Sequence, residues 1–238
     1  MVPEKLISEF VGRVRDAAGA NLEAVILYGS AAAGDYVPEH SDVNLLCVMG
    51  ATSFAAVEAL GPVVEWWGKQ KQRVPLVMTA EELRRGADVF SIEFLDMQRH
   101  YRVLWGADVL KGLEIPMKFH RVQVEYELRE KTILLRQRLL VVAGDVGGKW
   151  ELLLRSVPAF ATLARHALIA MGEAGPATKR EAVEKLAARS GVDARAFLQV
   201  LDVREGKVDR KTVNVDEVFG RYLSTIEKIT GAVDGIPD

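Results

Sequence analysis

Ala24-Val25-Ile26-Leu27-Tyr28, then Gly29-Ser30, then a loop ending in Ser41-Asp42, then Val43-Asn44-Leu45-Leu46-Cys47-Val48-Met49: this stretch decides how the chain folds. Both apolar runs are too short and too continuous for amphipathic helices, and they read as buried strands. Gly29-Ser30 ends the first run, and the loop 31–41 holds Gly34, Asp35 and Pro38, whose backbone preferences favour turns over a continued strand. The lone cysteine, Cys47, lies inside the second run, which excludes an internal disulfide and suits a small buried hydrophobe.

Outward from these strands, Leu6, Ile7, Phe10, Val11 and Val14 form one helical stripe between Glu4 and Ala18. Phe54 to Trp67 has a helical pattern that Gly61-Pro62 should kink or divide, and Val74 to Met78 supplies a third strand. Thr79-Ala80-Glu81-Glu82 has the spacing of a capping box at a helix start. Asp88 can cap a further helix through Met97, and Tyr101 to Trp105 before Gly106 is expected as a last strand at the sheet edge. The mixed pattern stops near Pro116. From Met117 the periodicity is helical only: one helix through Val142, one from Trp150 to Met171 that Pro158 should bend, shorter ones near 179–189 and 193–203, and a last one announced by Asn214 and Glu217. Gly144 to Gly148 reads as a turn between helices. The expected class is α+β, with a small mixed-sheet domain over residues 1–116 and an all-α helical bundle over 117–238.

Composition sets limits on partners. Thirty-one basic against 33 acidic residues leave a net charge of -2, so no overall field draws the chain onto nucleic acid or an anionic membrane. The N-terminus lacks the pattern of a signal peptide and no apolar stretch looks long enough to span a bilayer, so a cytoplasmic protein is expected. His40, His100, His120 and His166 show no metal-ligand spacing.

A strand, Gly29-Ser30, a loop, and Ser41-Asp42 leading into a second strand resemble the signature of the polymerase β-like nucleotidyltransferase superfamily. The small mixed sheet followed by a helical bundle is similar to the arrangement of aminoglycoside nucleotidyltransferases and their uncharacterised bacterial relatives. The resemblance implies that Gly29 and Ser30 start a helix whose amides and hydroxyl hold a nucleoside triphosphate. It also implies that residues 42 and 44, alternate positions aimed at one face, bind magnesium, with a third acid on a later strand. This chain departs from that pattern. It has Asp42 but Asn44 where the family has an acid, and Arg73-Val74-Pro75-Leu76-Val77-Met78 contains no carboxylate. Magnesium is a hard cation that prefers anionic oxygens, so the implied metal site, Asp42 with Asn44, is weakened.

Glu65, Glu81 with Glu82, and Glu93 with Asp96 are the candidate substitute acids; a helix start explains Glu81 and Glu82, and a solvated face explains Glu93 and Asp96, whereas the resemblance would turn these last two toward the cleft. Lys69, Lys71 and Arg73 read as a solvated turn, with phosphate contact as the sharper alternative. Arg129 is four residues from Glu125, an ordinary helix-surface pair, whereas the resemblance would have Arg129, Lys131 or Arg136 reach a triphosphate. Three functional readings follow. The first is a nucleotidyltransferase-like protein with lost or strongly reduced catalysis that keeps nucleotide binding. The second is an active magnesium-dependent enzyme transferring a nucleoside monophosphate from NTP to a hydroxyl, and the third a scaffold whose helical domain binds a protein partner or a second copy.

Overall fold

Strands that are apolar on both sides need cover on both sides. In the computed structural model, which describes residues 2–34, 42–176 and 178–236, strand β1 (Leu22–Tyr28) lies between β2 (Asn44–Met49) and β4 (Tyr101–Gly106), antiparallel to each. β3 (Leu76–Thr79) runs parallel to β2, giving a mixed sheet of order β3-β2-β1-β4 with β4 at one edge. One face carries Val25, Leu27, Val43, Leu45, Cys47 and Met49, covered by α1 (Glu4–Ala18) through Ile7, Phe10 and Val14 and by α4 (Gly61–Lys69) through Val63 and Trp67. The other carries Ala24, Ile26, Leu46 and Val48, covered by Leu83 of α5 (Ala80–Arg85) and by Phe94 and Met97 of α6 (Ser91–Arg99). Cys47 is buried, and that burial pushes its thiol up to about 12, so it acts as a packing residue.

Local signals place most boundaries. The helical pattern after β2 divides before Gly61-Pro62 into α3 (Phe54–Ala59) and α4. The Thr79 side chain accepts from the Glu82 amide while the Glu82 carboxylate accepts from the Thr79 amide, completing the capping box that starts α5. Asp88 does not cap α6. The chain leaves α5 through a hydrogen-bonded turn in which the amides of Val89 and Phe90 both donate to Gly86 O, and burial of Ala87 holds that turn, so the helix starts three residues beyond Asp88.

Met1–Pro116 and Met117–Asp238 are two compact units. The second consists of α7 (His120–Val141), α8 (Val146–Ala170), α9 (Lys179–Ser190), α10 (Arg195–Arg204) and α11 (Val215–Asp234), with α8 packed against the other four. Asn214 caps α11 by accepting from the amides of Asp216 and Glu217. Phe197 stacks on Tyr222 with ring centroids 4.2 Å apart, and Phe160 meets both edge-on. α8 begins at Val146, earlier than the Gly144–Gly148 turn expected from the sequence, because the Asp145 carboxylate accepts from Gly147 N at 2.9 Å and fixes the first turn there. It runs on without interruption through Pro158. α8 also corrects the expectation that no apolar stretch is long enough to span a bilayer: by length and hydropathy it is, but 61% of its apolar window is buried within the fold, the mark of a core helix.

Candidate active site

Gly29 makes the corner between β1 and α2 (Ser30–Ala33). Its φ of 74° with ψ of -151° belongs to a region that side chains exclude. Its amide donates to His100 O at 3.1 Å, and its carbonyl accepts from the amides of Ala32 and Ala33 at 3.0 Å. The amides of Ser30 and Ala31 open the helix, where a helix has no acceptors of its own to offer. Gly34, at φ 84°, closes this short turn by donating to Ser30 O.

Sheet register brings the next groups to the same corner. Tyr28 pairs with Asn44 on one side and with Tyr101 on the other, so the three share a face. The Asn44 side chain folds onto Gly29: a Cβ there would stand 3.1 Å from Asn44 Nδ2. Asp42 lies two residues ahead of Asn44, just before the strand, and is exposed. Leu46 pairs with Leu76, which puts Leu76 on the face of Asn44 at the start of β3, 41% exposed. In the acid-free segment 73–78, Leu76 is thus the residue that opens β3 on the face of Asn44.

The segment before β3 borders this corner. Val43 N donates to Gln72 Oε1 at 3.4 Å, and the buried Trp67 donates through Nε1 to Arg73 O at 2.9 Å, so Gln72 and Arg73 run beside the head of β2. Burial raises the Tyr28 hydroxyl pKa, and the nearby Arg73 charge partly opposes that rise. Arg73 is exposed, as a solvated turn requires, and its backbone is held at the head of β2 by Trp67, whose indole N–H needs a partner once buried.

Most other candidates are engaged elsewhere. Glu65 pairs with Lys69, Glu81 with Arg84 and Arg85, and Glu82 serves the capping box and accepts from Thr52. Glu93 and Asp96 lie on α6, the first exposed and the second half-buried. Arg129 pairs with Glu125 and Asp234, Lys131 with Glu127 and Arg136 with Glu227, all within their own unit. Among the described residues no group of three or more His, Cys, Asp or Glu side chains converges as a metal site. Ser41, His40, Asp35 and Pro38 lie outside the described residues.

Residues 7–99 match the nucleotidyltransferase domain family. No curated protein matches the chain in sequence. Among solved structures, the spectinomycin adenyltransferase AAD(9) from Enterococcus faecialis, determined with ATP and spectinomycin, shares the fold with a TM-score of 0.58 over 97% of this chain and 99% of that one, at 15% identity. The N-terminal unit thus matches the nucleotidyltransferase domain family over residues 7–99, and in fold the chain resembles an aminoglycoside-type adenyltransferase.

Proposed function

We propose that this protein binds a nucleoside triphosphate at the Gly29–Ser30 corner and that its nucleotidyl transfer is lost or strongly reduced. The observation that carries this reading is the composition of one face: Asn44 folded onto Gly29, with Leu76 at the start of the neighbouring strand. Glycine lets the backbone approach a phosphate, and the Ser30 and Ala31 amides with the Ser30 hydroxyl are suitable donors to its oxygens. The reacting end is poorer. A pair of divalent ions needs several anionic oxygens to offset mutual repulsion, whereas positions 42, 44 and 76 offer one carboxylate, one neutral amide and one aliphatic chain. That donor set does not fit a two-magnesium site. It also supplies no base at position 76, and general-base help is typically worth about 10²–10⁴-fold.

Calorimetric titration of ATP and GTP tests the binding, with Ser30→Ala expected to weaken it about tenfold through loss of a hydrogen bond to charged phosphate. Transfer is tested with radiolabelled ATP and a panel of hydroxyl acceptors. The wild type should show transfer at or near background, and Asn44→Asp combined with Leu76→Glu should raise it about a hundredfold or more. Robust wild-type transfer that Asp42→Ala abolishes would sink the reduced-catalysis reading, and absence of any nucleotide binding would sink the whole.

A further inference from the structure

The charge left at the nucleotide corner differs from what a metal-dependent site requires. Carboxylates at positions 42, 44 and 76 would repel a triphosphate until divalent cations bridged the two, which is the electrostatic origin of a metal requirement. Two of those three positions are neutral here. The backbone that bears a cation of the chain itself, Arg73, runs beside the head of β2. Gln72 accepts from the amide of Val43, the residue between Asp42 and Asn44, and Trp67 holds the Arg73 carbonyl, so the backbone at Arg73 is tethered on both sides alongside the head of β2. Arg13, Arg84, Arg85 and Arg102 are each committed to a carboxylate. Arg73 is exposed and has no carboxylate partner among the described residues. Its charge reaches the Tyr28 hydroxyl, one residue from Gly29.

We infer that nucleotide binding at Gly29–Ser30, on the reading proposed above, is independent of magnesium and uses the Arg73 guanidinium as its counter-charge. A guanidinium is permanently charged and matches phosphate oxygens with paired donors, so it neutralises a triphosphate without a metal bridge. The Asn44 amide beside Gly29 fits the same scheme, being able to donate to an anion where a carboxylate would repel it.

The experiment is titration of ATP into the full chain in excess magnesium chloride and, separately, in excess EDTA, with a thermal melt of each variant to confirm folding. The wild-type Kd in EDTA should lie within about twofold of that in magnesium, or below it. Arg73→Gln should weaken binding in EDTA about tenfold while Arg73→Lys retains most of it, and Asn44→Asp with Leu76→Glu should make binding magnesium-dependent. ATP that binds the wild type only with magnesium, or an Arg73→Gln variant that binds unchanged, overturns the inference and leaves the proposed nucleotide site standing. ATP that binds in neither condition overturns both.

Discussion

Gly29 concentrates the demands of the site in one residue. It turns β1 into α2 through a positive φ, and it leaves room for the Asn44 amide. Alanine at that position meets both constraints at once: a backbone conformation that costs about 1–3 kcal/mol for a side-chain-bearing residue, and a Cβ that must push Asn44 aside. Gly29→Ala should therefore lower the urea midpoint of the N-terminal unit, followed by tryptophan fluorescence, since Trp66, Trp67 and Trp105 all belong to that unit. An unchanged midpoint would mean that the corner is less constrained than its dihedrals require. At this scale the sequence was readable where neighbours along the chain carry the signal, as in Gly29-Ser30 and Asp42-Val43-Asn44. It named Leu76 only as part of an acid-free segment and left Arg73 between a solvated turn and phosphate contact, because their places depend on the parallel register of β3 and on a hydrogen bond from an indole six residues away.

Among the elements, local chemistry decided which starts could be foreseen. The capping boxes and caps at Thr79 and Asn214 were legible because donor and acceptor lie within three residues of each other. Asp88 failed because tertiary burial of Ala87 keeps the chain in a turn there, and short-range preference yields to packing. The start of α8 was hidden for the opposite reason: Gly147 and Gly148 disguise a helical turn as a loop. A Cβ on Gly148 would stand 2.7 Å from Asp145 Oδ2 and 2.9 Å from Val142 Cβ, so glycine there permits the close return from α7 into α8. Asp145→Ala should cost the C-terminal unit about 0.5–2 kcal/mol and loosen the first turn of α8, seen as faster amide exchange at Gly147, while Asp145→Asn should keep most of the stability. Equal exchange in the alanine variant and the wild type would show that packing alone sets the start.

In the whole molecule the change of period near Pro116 made the α+β class readable, because a mixed sheet and a helical bundle impose different repeats on their sequences. What the bundle does to two distant residues was not readable. His120 and His166 are 46 positions apart, yet the packing of α7 on α8 buries both and sets His120 Nε2 3.4 Å from His166 Nδ1. Burial, with the charge of His166 second, lowers the His120 pKa from 6.5 to about 4. Because the folded value lies below the unfolded one, the unfolded chain takes up the proton first as pH falls. The contribution of His120 to stability is thus complete above about pH 6.5 and is withdrawn between there and about pH 4, by up to about 3 kcal/mol. Thermal melts over that range, comparing the wild type with His120→Gln, isolate this effect, since the carboxylates titrate alike in both proteins. The wild-type curve should fall more steeply below pH 6.5, so that the wild-type-minus-variant difference drops toward acid by up to about 3 kcal/mol whatever the offset at neutral pH. Curves that stay parallel down to pH 4 would remove His120 from the linkage and assign the acid sensitivity of the bundle to its carboxylates.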